Sequence, residues 1–304
     1  IQCLTLLAVA PLLVGVMRQV RARLEGRVGP GAGQPWRDLV KLAGKEPLQA
    51  PGTRFAAVMP VVMMGTSLLL VALLPLLATT TLPLVPDDLF VVVSVLLLGS
   101  VAIAILGLDS GTAFGGLGSS RHMTIAALVE PTVLVAVYAL SIPVGTSALS
   151  AIVAARIAEP ATVASPVSLL ALVALVLVVI AETGRLPVDN PSTHLELTMV
   201  HEAMILESSG RDLGWVELAS WLRLAALLGL VVNLAAPWGI AAEVTPRALG
   251  IALAALAVKL TLAGAAVAAV EVFLAKLRLF RVPELLAGSF VLAFLAVTAS
   301  YLVA

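Results

Sequence analysis

Six ionisable residues fall within or beside the most apolar stretches of the chain: Glu130, Glu182, Asp189, Glu196, Glu202 and Lys259. Glu130 lies about two turns into an otherwise uncharged run, and Pro131 after it frees a backbone carbonyl one turn earlier. A carboxyl in such surroundings marks an ion path or a buried polar pair. Glu182 closes another apolar run and opens the stretch Glu182-Thr-Gly-Arg-Leu-Pro-Val-Asp-Asn-Pro-Ser-Thr-His-Leu-Glu196. Seven acids between 182 and 217 face only Arg185 and Arg211 there. Partly desolvated, they would have movable proton affinities, as a relay requires; solvated, they would form an acidic docking surface. Lys259 lies near the middle of its apolar run, where a charge costs about 2.5–3.5 kcal/mol on insertion scales, so it needs a partner or a role.

Pro187 and Pro191 interrupt this acidic stretch, and Thr193-His-Leu-Glu196 reads as a capping box that restarts a helix. Such a helix puts Glu196 and Glu207 on one face with Val200 and Ala203, and His194 and His201 on another. The two histidines are then about 10 Å apart along the axis, too far to share a metal. His201-Glu202 also lacks the second histidine of H-E-x-x-H, which argues against a zinc protease.

The elements that position these residues are membrane spans. The chain has 304 residues, of which 61% are hydrophobic and 12% charged, and its mean hydropathy is +1.10. That composition excludes a soluble enzyme, a disulfide scaffold and a disordered chain, and it indicates an all-α polytopic membrane protein. Apolar runs near the length of a bilayer crossing cover roughly 1–17, 55–80, 89–108, 123–145, 164–183, 217–238, 247–272 and 284–304, predicting about eight transmembrane helices in one domain, 1–304. Arg18, Arg21 and Arg23 follow the first run instead of preceding it, the reverse of a secretory signal, so it reads as a true span whose extreme N-terminus is missing. Of the 18 basic residues, 14 fall in alternate loops, against Arg156 and Arg247 on the other side and Arg223 and Lys259 inside spans. The positive-inside rule then puts both termini outside. Loops 18–54, 109–122, 182–217 and 273–283 share the cytoplasmic side and should form a docking face.

Within the first loop, Gly29, Pro30, Gly31 and Gly33 break any helix. Trp36, Leu39, Val40 and Ala43 then recur at helical spacing, with Arg37, Asp38, Lys41 and Lys45 on the other face. That amphipathic helix should lie at the interface or under a partner. The glycines match neither G-x-G-x-x-G nor a P-loop, and the second loop, 109–122, is glycine-rich in its turn. Cys3 is the only cysteine, so the chain cannot itself hold an iron–sulfur cluster. Equal numbers of basic and acidic residues, 18 each, remove a polybasic argument for nucleic acid.

Three motifs in order resemble the membrane subunit shared by respiratory complex I (its subunit 1) and the membrane-bound [NiFe] hydrogenases. They are Arg27-x-Gly29-Pro30 with Lys41-Leu42 and Lys45-Glu46; Glu182-Thr183-x-Arg185-x-Pro187-x-Asp189; and Arg281-x-Pro283-Glu284. The resemblance covers most of the chain. It implies a subunit of a bacterial or archaeal cell membrane that anchors an electron-transferring arm and couples it to proton or sodium translocation. Quinone-reducing relatives carry acids where this chain has Ser192 and His194, keeping only Glu196, so the likeness is closer to the formate hydrogenlyase-type and hydrogenase-4-type complexes. A quinone-site subunit of an NADH:quinone oxidoreductase is the alternative, and a stand-alone ion transporter the second. The implied partners are [NiFe] hydrogenase large and small subunits or their homologues, an iron–sulfur subunit, antiporter-like membrane subunits and the bilayer. No cofactor is expected in this chain; the clusters and the [NiFe] centre would belong to partners. Docking candidates are Arg27, Arg37, Lys41, Lys45, Arg185, His194, His201 and Arg281. Glu130, Glu182, Asp189, Glu196, Glu202 and Lys259 are the ion-transfer candidates.

Overall fold

A computed structural model describes residues 1–50, 52–79, 87–189, 199–278 and 281–303. Helices α1 (Gln2–Leu24), α4 (Leu89–Asp109), α5 (Ala113–Ser141), α9 (Gly210–Ala235), α10 (Pro246–Phe273) and α11 (Val282–Val303) dominate it. These six are long and apolar enough to cross a membrane. Between them stand shorter apolar helices α3 (Met59–Leu73), α6 (Leu149–Ala158) and α7 (Pro166–Glu182), the amphipathic helix α2 (Gln34–Ala43) and the short α8 (His201–Ile205). Every one of the eight predicted runs therefore contains a helix, and the protein is an all-α polytopic membrane protein.

Two of the predicted spans are shorter than drawn, each for a local reason. The second stops at Leu73 because Leu74 is extended before Pro75, as the residue preceding a proline tends to be. The chain beyond pairs loosely with Ala241, whose N–H donates to the Leu77 carbonyl at 2.9 Å. The fifth begins at Pro166, with Ser165 capping its first turn through the Ser168 N–H, and ends at Glu182 before Gly184 turns left-handed at φ +59°.

Two loop expectations are corrected. The glycine-rich segment is not a loop beyond Thr112: that residue caps α5 through the Gly115 N–H, and the rest is helix. Its glycines are needed for close approach, since a Cβ on Gly115 would lie 2.3 Å from the Gly107 carbonyl of α4. The helix expected through this stretch is absent at Met199 and Val200, and among the described residues it is seen at His201–Ile205, ending before Glu207. The capping box, with His194 and Glu196, lies outside the described residues.

Helix α9 is the axis of the bundle, in contact with α1, α2, α3, α7 and α10, while α5 packs on α4, α7, α8 and α11. The C-terminal ends of α1, α4, α7 and α10 and the starts of α3, α5, α9 and α11 lie on one side, which carries Arg18, Arg21 and Arg23 of α1 and is called the basic end below. In helix α2 Leu39 is buried and Trp36 Nε1 donates to the Ala8 carbonyl at 3.3 Å, whereas Val40 and Ala43 of the same predicted face are exposed along with Arg37, Lys41 and Lys45.

Candidate ion-transfer site

A cavity of about 520 Å³ opens at the basic end, walled by α1, α3, α4, α8, α9, the end of α7 and the turn at Arg27–Pro30. Charged side chains reach it from every side: Arg18, Arg21, Arg27, Arg185 and Arg223, with Glu182, Glu202 and Glu217. The first loop contributes Arg27, Val28, Gly29 and Pro30 to the mouth of this cavity, with Arg27 and Val28 exposed.

Glu182 is the innermost acid of that wall, its side chain 2% exposed and ion-paired to Arg223 of α9. Ser100 of α4 donates to the same carboxylate at 3.4 Å and stands next to Arg223 Nη2 at 2.9 Å. Glu130 lies behind this group, away from the cavity wall, and interacts electrostatically with Glu182, Arg223 and Ser100. Glu130 Oε1, Arg223 Nε and His122 Nε2 are buried with no hydrogen-bond partner among the described residues. Buried polar atoms are nearly always satisfied, so three such atoms at and behind a cavity with charged side chains in its wall point to internal water. The chemistry this permits is proton transfer from the cavity through Glu182 to Glu130.

The other acids predicted for this route have other surroundings. Asp189 is buried and closed into an ion pair with Lys276 at 2.7 Å, and it accepts the backbone N–H of His201 at 3.1 Å. Glu202 and His201 line the cavity. Lys259 lies on the far side of α9, donating to Asn233 Oδ1 at 3.2 Å. Among the docking candidates, Arg27, Arg37, Lys41, Lys45 and Arg281 are exposed, whereas Arg185 turns inward. Its partner is Glu271 of α10 at 3.7 Å, which Arg21 of α1 approaches to 3.4 Å. Burial draws the proton affinity of Arg185 below the usual arginine range, and Glu271 beside it works in the opposite sense.

Sequence reasoning passed over Arg223, His122, Ser100 and Glu271. Arg223 carried a signal, a charge inside a span, of the same kind that singled out Lys259. Ser100 and Glu271 carried none, because a serine in an apolar helix and an acid near a span end are ordinary. Among the described residues, no group of three or more His, Cys, Asp or Glu side chains could hold a metal ion.

Two sequence relatives match most of the chain. Formate hydrogenlyase subunit 4 of Escherichia coli (strain K12) is 34% identical over 302 residues, 97% of this chain and 95% of that protein. Hydrogenase-4 component C of the same organism is 31% identical over 251 residues, 80% of this chain and 76% of that protein. In the structure of the membrane-bound sulfane sulfur reductase, an archaeal respiratory membrane complex, one chain superposes with a TM-score of 0.84. It is 19% identical, with 98% of this chain and 96% of that one covered, so it shares the fold. The NADH dehydrogenase family (NADHdh) matches residues 1–302, and the chain belongs to that family.

Proposed function

We propose that this chain is the membrane anchor and coupling subunit of an energy-converting hydrogenase-type complex. It holds a soluble redox module at its basic end and turns that module's electron transfer into proton movement. The observation that carries the reading is a charged cavity at the basic end with a buried acid, Glu130, behind it that interacts with Glu182, Arg223 and Ser100. Relatedness over the full chain to subunits of formate hydrogenlyase and hydrogenase-4 supports the partner class. The basic end then faces the cytoplasm, with both termini outside, and the docked module carries the iron–sulfur clusters and the [NiFe] centre. Further membrane subunits of the antiporter type receive the proton beyond Glu130. Asp189 holds the turn after α7 in place for that route. A quinone-reducing role would use the same cavity, but eight charged side chains around it suit water and protons better than an apolar ring.

Vesicles of the whole complex provide the test. Glu182→Gln and Glu130→Gln keep side-chain size and hydrogen bonding but remove the titrating proton. In each, protons moved per electron transferred should fall at least tenfold, and a normal ratio in both rejects the route. Reversal of Arg27 or Arg37 to Glu should release the redox subunits on detergent purification. Full stoichiometry in both variants rejects the docking face.

A further inference from the structure

We infer that Arg223 is a positioning residue for this proton transfer, a moving counter-charge that decides when Glu182 can accept a proton. The inference rests on the ion-route reading above.

Three observations set it apart from an ordinary ion pair. First, its contacts are one-sided. Nη2 makes them all, to Glu182, to the Leu96 carbonyl at 2.7 Å and to Ser100 at 2.9 Å, while Nε is buried without a hydrogen-bond partner. A fixed arginine–carboxylate pair is frequently bidentate, with two parallel N–H···O bonds. Second, α4 leaves room for it. A Cβ on Gly99 would stand 2.8 Å from Arg223 Nη1, so the guanidinium lies where any larger residue would push it aside. Third, the carboxylates of Glu202 and Glu217 line the same cavity as Arg223 and offer a second set of acceptors.

These contacts define two arrangements. With Glu182 ionised, the guanidinium holds it and a proton cannot rest there without giving up that attraction. When water in the cavity delivers a proton, a Glu182 O–H bond forms, the pair loses its charge attraction, and Arg223 turns toward the cavity acids. The proton then leaves Glu182 for the Glu130 carboxylate, and the restored Glu182 charge recaptures the arginine. No electron changes hands in this chain; the redox module supplies the driving force. The arginine turned toward the cavity also presents a positive charge to the entrance, which opposes entry of a second proton before the first has gone.

The test compares protons moved per electron transferred in vesicles of the whole complex, a ratio that reduced assembly alone does not change. Arg223→Gln should lower it at least tenfold, and adding Glu182→Gln should make it no worse than Glu182→Gln alone. Gly99→Ala, which alters no charged residue, should lower it by a smaller factor by displacing the guanidinium. A normal ratio in Arg223→Gln overturns the proposal. So does failure of Arg223→Gln to assemble with rescue by Glu182→Gln, because a neutral pair would then replace a merely structural charge. If neither assembles, Gly99→Ala decides: a lowered ratio supports the moving arginine and a normal one overturns it. Should Glu182→Gln and Glu130→Gln both keep a normal ratio, the route falls; should they uncouple while Arg223→Gln does not, only this inference falls.

Discussion

Helix α9 carries two polar clusters on one rod, and they are built differently. Toward the basic end, Arg223 meets Glu182 and Ser100 beside a cavity, with atoms of Arg223, Glu130 and His122 left unpartnered. Ten residues on, about 15 Å along the helix, Asn233 donates to the Pro75 and Leu76 carbonyls at 3.1 Å each and accepts from Lys259 at 3.2 Å. Nearby, Arg156 of α6 donates through Nε to the Leu234 carbonyl at 2.8 Å and also contacts Ser168. The second cluster closes the backbone groups that the break in α3 and the end of α9 leave open, as a membrane interior requires. Of five buried side-chain polar atoms without a hydrogen-bond partner among the described residues, only Ser300 Oγ lies outside the basic end. A polar group that completes the backbone is architecture; one left incomplete beside a cavity has something to exchange.

That contrast can be broken in graded steps. Glu271 belongs to the basic end, yet two arginines hold its charge, so it should behave as architecture. Glu271→Gln leaves Arg21 and Arg185 without their shared acid, and removing one member of a buried pair costs about 3–5 kcal/mol. The lower end of that range is expected, because both arginine side chains keep some exposure, 18% and 15%. Thermal melting of the purified complex measures it, and an unchanged melting temperature would mean that neither arginine depends on the acid. Asn233→Leu should cost about 1–3 kcal/mol for the buried groups it strips of partners, with a normal proton-to-electron ratio in the complex that survives. A lost ratio at normal stability would move Asn233 into the transfer machinery and dissolve the distinction. Lys259→Met should have the smallest effect, about 0.5–1.5 kcal/mol for one hydrogen bond, set against removal of a charge from the membrane. A higher melting temperature with unaltered coupling would show that Lys259 faces lipid and contributes nothing.

How legible this was in the sequence depends on the kind of information involved. Runs of apolar residues and the placement of arginines are one-dimensional signals, and they located a helix in every predicted span and the basic end itself. Glu130 and Glu182 stood out for the same reason, since charge in an apolar run needs only the neighbours in sequence to be noticed. Their relation did not, because Glu182 and Arg223 are 41 residues apart and Ser100 is 82 from Glu182. Arg185 shows the converse failure: between Gly184 and Leu186-Pro187 in a stretch predicted to be a loop it reads as surface, whereas Glu271 of α10 pairs with it on the inner side. The segment 109–122 misled through its glycines, which loosen an isolated helix but here let α4 and α5 touch backbone to backbone.

The break in α3 also constrains the order in which the molecule can be made. Fifteen residues of helix rise only about 22 Å, well short of a hydrocarbon core of about 30 Å. The remainder depends on borrowed groups. Gln2 reaches the Val71 and Leu74 carbonyls from a helix already synthesised, but Pro75 and Leu76 depend on Asn233, more than 150 residues further on. At about 5–20 residues per second, roughly eight to thirty seconds of translation separate the two. Throughout that interval the end of α3 has open carbonyls that neither lipid nor its own helix can satisfy. It must wait at the water interface or beside the insertion machinery, and the bundle can close only once α9 has entered the membrane.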